Sequence, residues 1–227
     1  KVESLESTDN YETLREKKQT TEDGYSYYTI AKIEIPKLNL NYPIIEGETG
    51  SEKETEELLK LSPCKLAGPN PNETGNFCVV GHNYRNQRFF SKVPTLEIGE
   101  EILITDLTKD VKGNTVKYKI YNKYNVDPED VSCLEQKTKG KNEITLITCT
   151  DDSKQRVIVK AKEVLNLKEL ISYEEGSIAN VDIVHNDTMK FVLMAFDEGT
   201  GLTPHRAPGN AILTALERTA VIGYEGT

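Results

Sequence analysis

A cysteine and an arginine seven residues apart are the first pair in this 227-residue sequence whose side chains could act together. Cys149 ends a β-branched run that begins at Ile144, and Arg156 opens a second run that continues to Val164. Thr150, Asp151, Asp152, Ser153, Lys154 and Gln155 between them have the turn chemistry of a hairpin loop. Paired as strands, the two runs place a thiol and a guanidinium across the mouth of one loop, a nucleophile beside a group that binds negative charge. His82 is the third candidate. Of the three histidines it alone precedes Cys149, and it falls where the apolar run Phe77 to Val80 hands over to a loop. Its separation from Cys149, 67 residues, suits two strands meeting at one edge. Together the three groups can attack a carbonyl, protonate a departing amine and offset charge developing on oxygen. That chemistry needs a cationic His82 beside an anionic Cys149, so the productive protonation state can be a minority one. Taken singly, Cys149 fits a buried structural thiol, His82 a satisfied polar residue and Arg156 a solvated strand flank.

The elements that must position these residues are mostly short strands. Thr29 to Ile35 alternates imperfectly and stops at Pro36; a second strand follows near Tyr42 to Ile45. Ser51 and Glu54 stand in capping-box spacing ahead of Leu58, Leu59 and Leu61, which predicts a short amphipathic helix over 51–61. Ala67 to Gly75 is too rich in Gly, Pro and Asn for regular structure, and Asn76 to His82 then reads as a strand ending on the histidine. One helical turn is expected before Pro94, and Glu101 to Asp106 and Thr115 to Val126 alternate as half-buried antiparallel strands. Seven or eight short strands and two short helices between Tyr25 and Leu165 predict an all-β closed barrel or a sandwich. Residues 1–24 read as a linker or frayed helix, 25–166 as the main domain and 167–227 as a separate β-rich segment. In this last segment Asn180 to Phe196 and Leu202 to Gly226 are strand-like. It is also more acidic, with four Lys or Arg against nine Asp or Glu.

Composition narrows the function. A formal net charge of −9 argues against nucleic acid, because phosphate binding needs a basic surface. No apolar run reaches the roughly 18 residues of a membrane-spanning helix. The first residue is Lys1 rather than Met, so a signal or anchor segment is expected upstream. Cys64, Cys78, Cys133 and Cys149 show no CxxC spacing, which disfavours structural zinc; Cys64 and Cys78 are a disulfide in a secreted protein or two buried small hydrophobes.

The IAKIEIP opening, the GPNPNETGNFCVVGHN segment, the TLITC strand end and the following Arg156 resemble a sortase, the cysteine transpeptidase of Gram-positive cell surfaces. The likeness covers roughly residues 25–165, and the three motifs in that order are specific where TLxTC alone is not. It implies an eight-stranded sortase barrel with Cys149 as nucleophile, His82 as general acid and base, and Arg156 steadying the substrate carbonyl; Thr148 would line the substrate groove. It implies cleavage of an LPxTG-type sorting signal between Thr and Gly, a thioester on Cys149, and transfer to an amine. The partners would be surface proteins or pilins bearing that signal, with a peptidoglycan cross-bridge amine or a pilin lysine as acceptor. The setting would be the extracellular face of the membrane. No Asp-Pro-aromatic lid motif precedes the barrel and six residues separate Cys149 from Arg156, which favours wall anchoring over pilin polymerisation. No cofactor is expected. Asp151 and Asp152 fit a turn cap better than a Ca²⁺ site.

Met189 to Gly226 is similar to the first half of a cupin, with Gly199 and His205 at the spacing of that family's metal motif. Ala207 replaces the second histidine, no glutamate follows at the family's distance and His185 lies too far upstream, so no metal is expected. Half a cupin leaves open sheet edges, which predicts self-association through this segment. Two other functions compete: a catalytically silent surface module binding through the tail, and a cysteine hydrolase. The papain-like order, cysteine before histidine, is reversed here.

Overall fold

Alternating β-branched and aromatic residues make strands wherever one face can be buried, and here one closed ladder buries nearly all of those faces. The structure, a computed structural model, describes residues 18–108, 115–204, 209–219 and 221–223. His205 and Ala207 of the cupin-like motif lie outside the described residues. The chain divides into two compact units, one ending at Val164 and one beginning at Leu165.

In the first unit the strands are β1 (Gln19–Thr20), β2 (Ser26–Ile35), β3 (Leu40–Gly47), β4 (Cys64–Ala67), β5 (Gly75–Val80), β6 (Glu101–Asp106), β7 (Thr115–Val126), β8 (Asn142–Cys149) and β9 (Arg156–Glu163). Eight of them run in the order β2-β3-β4-β5-β8-β9-β7-β6, and β6 pairs back onto β2 from Ala31↔Asp106 to Glu34↔Leu103. The sheet is therefore a closed eight-stranded barrel with few short helices. Closure leaves no free edge in its wall. The β3–β4 and β5–β8 pairs are parallel and the remaining pairs antiparallel.

Residues 18–24 depart from the linker reading. Gln19 and Thr20 pair with Tyr27 and Ser26, and the Gln19 side chain accepts from the Tyr27 hydroxyl at 2.9 Å. A turn from Thr21 to Tyr25, with Gly24 at φ +86°, folds this short strand back onto β2.

The barrel interior is filled by a continuous apolar cluster that includes Ile33, Ile44, Phe77, Ile104, Leu146 and Val159. A bulge in β2 between Thr29 and Ala31 changes which residues face it, and Tyr27 packs outside the wall with Ile45 and Cys64. The helix α1 (Glu52–Leu59) covers that patch with Leu58 and Leu59. Its N-cap is Ser51, whose hydroxyl accepts from the Glu54 amide at 3.3 Å. Glu54 is only 2% exposed and accepts from the Thr49 and Gly50 amides and the Thr49 hydroxyl at 2.8–3.0 Å. A Cβ on Gly47 would collide with that carboxylate, which accounts for glycine there. A second outer patch forms over β8 and β9, where a 3-10 turn at Ser132–Leu134 sets Cys133 against Ile147 and Ile158.

Among its described residues the second unit holds one antiparallel hairpin, β10 (Ile178–His185) and β11 (Lys190–Phe196), with a bulge between Asp182 and Val184. The Asn186 carboxamide oxygen closes its turn by accepting from the amides of Thr188 and Met189. No strand occurs among the described residues from Leu202 to Gly223, contrary to the strand-like reading of that stretch. Pro204 and Gly209 interrupt it, and Ile212 and Leu213 stay exposed, so no buried face holds a ladder together.

Candidate active site

Strand parity fixes which side chains leave the barrel wall. In β8, Ile144 and Leu146 face the interior, so Thr148 continues inward and Cys149 points outward with Thr145 and Ile147. In β9, Val157, Val159 and Ala161 face inward, which sends Arg156 outward. Cys149 and Arg156 are directly paired as the last rung of the β8–β9 ladder. Across that rung Arg156 Nη1 donates to Cys149 Sγ at 3.3 Å. Both residues are half-buried.

The six-residue turn that joins them is closed by its own side chains. Thr150 N donates to Gln155 O, and Gln155 N returns to Thr150 Oγ1 at 3.1 Å. Asp152 Oδ1 accepts from the Thr150 hydroxyl at 2.6 Å and from Lys154 N at 3.1 Å. These bonds, the hydroxyl's first, hold the Asp152 carboxyl below the usual carboxylate range. Asp152 thus serves as the turn's cap. Among the described residues no three His, Cys, Asp or Glu side chains are grouped to hold a metal ion.

The parallel β5–β8 register explains how His82 arrives. Gly75 pairs with Asn142 and Val80 with Ile147, a constant offset of 67 residues, so two residues beyond β5 His82 comes level with Cys149. Hydrogen bonds extend the match past the strand's end. Gly81 N donates to Ile147 O at 3.0 Å, and Thr148 Oγ1 donates to Gly81 O at 2.8 Å. On the other side of the histidine, Asn83 Nδ2 donates to Cys149 O at 3.0 Å. The His82 carbonyl accepts from Phe90 N, closing the loop that follows. Gly81 is required here because the Phe90 ring lies against it, and a Cβ would come within 2.6 Å of the ring.

Aromatic side chains flank the imidazole. The Tyr84 ring stands 5.0 Å from the His82 ring at 51°, Phe89 lies 5.8 Å beyond Tyr84, and Tyr42 meets Phe89 edge-on at 5.2 Å. The Arg88 guanidinium lies 5.0 Å from the Phe89 centroid and 5.8 Å from that of Tyr84. Arg85, Gln87 and Phe89 all have positive φ, so the loop from Asn83 to Phe89 is tightly wound.

The structure therefore gathers His82, Cys149 and Arg156 at one end of the barrel. Thr148 joins them from beneath: it is 1% exposed, and its hydroxyl is committed to Gly81. His185 belongs to β10 of the second unit, with Nδ1 3.4 Å from Asp182 on an exposed surface. The other three cysteines are free and buried, so Cys64 and Cys78 form no disulfide. Burial pushes the thiols of Cys64 and Cys78 up to about 12 and raises that of Cys133. Sequence reasoning did not single out Asn83, Tyr84 or Phe90. Adjacency to His82 was the one available signal for the first two.

Residues 33–164 match the sortase domain family. The chain is 28% identical to sortase A of Streptococcus agalactiae serotype III (strain NEM316) over 134 residues, 59% of this chain and 52% of that protein. It thus spans about half the length of this curated relative. Among solved structures, a Clostridium perfringens sortase D5 transpeptidase is 29% identical with a TM-score of 0.53, covering 70% of this chain and 89% of that one. Sortase C-1 from Actinomyces oris, 23% identical with a TM-score of 0.51, covers 61% and 76% and shares the fold.

Proposed function

Because the chain belongs to the sortase family, we propose that it is a cysteine transpeptidase that cuts a C-terminal sorting signal of the LPxTG type and passes the cut protein to an amine. The Cys149 thiolate attacks the carbonyl carbon of the signal's threonine. A sulfur–carbon bond forms, the carbon–nitrogen bond to glycine breaks, and the His82 imidazolium gives its proton to the departing amine. An acceptor amine then attacks the thioester, the sulfur–carbon bond breaks, and the amine's proton returns to His82. Arg156 offsets negative charge on the carbonyl oxygen in both tetrahedral intermediates. The observation that carries this reading is the 3.3 Å contact of Arg156 Nη1 with Cys149 Sγ, on a rung level with His82. A guanidinium there donates to the sulfur and is one short movement from an oxygen bonded to the adjacent carbon.

The substrates in this reading are surface proteins or pilins, and the place of work is the outer face of a Gram-positive membrane. Among the described residues no helix is long and apolar enough to cross a membrane. A cell-wall cross-bridge amine is the proposed acceptor, favoured over a pilin lysine by the short six-residue turn between Cys149 and Arg156. Self-association of the second unit is proposed on the exposed Phe191, Met194 and Phe196 of β11. A monomer by light scattering at working concentration would remove it.

The test is incubation of a labelled LPxTG peptide with the protein and with Cys149→Ala, with and without added amine, read by mass spectrometry. Cleavage between Thr and Gly, an acyl-enzyme on Cys149 and capture by the amine are expected from the unsubstituted protein alone. Neither cleavage nor acyl-enzyme across a panel of sorting motifs would overturn the reading in favour of a silent binding module.

A further inference from the structure

We propose that Asn83 is a positioning residue that fixes the Cys149 end of β8 against the His82 loop; the inference rests on the transpeptidase reading and deepens it. Asn83 is 9% exposed, and its carboxamide is engaged at both ends. Nδ2 donates to Cys149 O at 3.0 Å and to Asp151 Oδ1 at 2.9 Å, while Oδ1 accepts from Arg85 N at 3.0 Å. Its backbone forms an isolated antiparallel bridge with Phe89. One side chain thus ties together the nucleophile's own carbonyl, the turn that leads to Arg156, and the loop that begins at the histidine.

The position of these bonds matters more than their number. Regular β5–β8 pairing ends at Val80 and Ile147, and the Gly81 bonds to Ile147 and Thr148 carry the match one residue further. Beyond Gly81 the backbone pairing is not continued among the described residues, and Asn83 bridges the two segments again on the far side of His82. The imidazole therefore leaves a backbone segment tied to β8 before and after it. Reacting groups gain most when their spacing is set before the substrate arrives. The donor must be an amide: aspartate has the same shape but cannot donate, and it would set a second carboxylate against Asp151 and the Cys149 carbonyl.

The experiment compares the full chain with Asn83→Asp, Asn83→Ala and the double variant Asn83→Asp with Asp151→Asn. It reads kcat and KM for peptide cleavage, the pH dependence of Cys149 alkylation by iodoacetamide, and thermal unfolding to confirm that each variant is folded at the assay temperature. The charged or titratable groups around the thiol are Arg156 from β9, His82 from the loop after β5, and Asp151 and Asp152 from the turn. Asn83→Asp is expected to lower kcat by about 10- to 100-fold with KM little changed. It also moves the alkylation profile to higher pH, because the added anion disfavours the thiolate. The double variant restores the wild-type charge and one bond between positions 83 and 151, so its alkylation profile returns while kcat stays low for want of a donor to Cys149 O. Wild-type kcat in Asn83→Ala overturns the proposal. So does an unmoved alkylation profile in Asn83→Asp, with activity lost only in proportion to unfolded protein. If the unsubstituted chain cleaves no peptide, the transpeptidase reading fails by itself, and the alkylation profiles still decide the role of Asn83.

Discussion

The inner and outer faces of the β8–β9 hairpin are built from alternate residues of the same sixteen positions, yet they do opposite work. The inner face, with Ile144, Leu146, Val157, Val159 and Ala161, is sealed within the barrel. The outer face is sealed only as far as Ile147 and Ile158, which lie beneath Cys133. Two rungs further that cover ends, and Cys149 and Arg156 are half-open to solvent. The same ladder thus holds the fold on one side and presents Cys149 and Arg156 to solvent on the other. What separates structure from chemistry is where the overlying segment ends.

The largest effect should come from the sealed face. Leu146→Ala removes fully buried carbon from the interior and is expected to cost about 2–5 kcal/mol in denaturant unfolding. A loss below about 1 kcal/mol would mean that the interior collapses around the gap and that the faces differ less than their burial suggests. On the open face the split should reverse. Arg156→Ala should slow peptide cleavage by roughly 10²- to 10³-fold while leaving the melting temperature near that of the parent. A melting temperature that falls with the rate would make Arg156 a structural residue.

Glu54 tests whether a buried charged group outside the mouth acts on stability alone. Burial by itself would raise its pKa, but the hydrogen bonds from Thr49 and Gly50 outweigh burial and leave it lowered. A carboxyl lowered on folding adds stability above its unfolded pKa and loses it as pH falls through the folded value. Glu54→Gln should therefore cost about 1–3 kcal/mol at neutral pH. The two stability curves should converge in acid, and cleavage per folded molecule should be unchanged. The smallest effect is a count: under native conditions one thiol, Cys149, should react with iodoacetamide, and all four after denaturation. A second fast thiol would place an opening in the segments that cover Cys64, Cys78 or Cys133.

Much of this contrast was legible in the residues. The run from Ile144 to Cys149, the polar turn and the run from Arg156 define a hairpin whose first and last rungs follow from its pattern. Ser51 and Glu54 announced α1 by spacing, and the Ser51 hydroxyl does cap it. Short strands were not legible. β4 is four residues long and β1 two, too short for periodicity, and both exist because a neighbouring strand offers a ladder. In the second unit apolar composition misled: Ile212 and Leu213 read as strand, but nothing among the described residues buries them. Asn83 was opaque for another reason. Its partners lie 66 and 68 residues away in sequence and become neighbours only through the parallel register of β5 and β8.

That register also sets a timetable. A parallel pair cannot be joined by a tight turn, so β5 waits for β8 while the intervening chain, including β6 and β7, is made. Cys149 belongs to the later strand and is its last residue. During synthesis the histidine emerges first and stays without its partner until most of the barrel's sequence exists. Under the proposed function, an unfinished or truncated barrel holds groups that do not meet, and a freshly made chain becomes competent only when its own wall has closed.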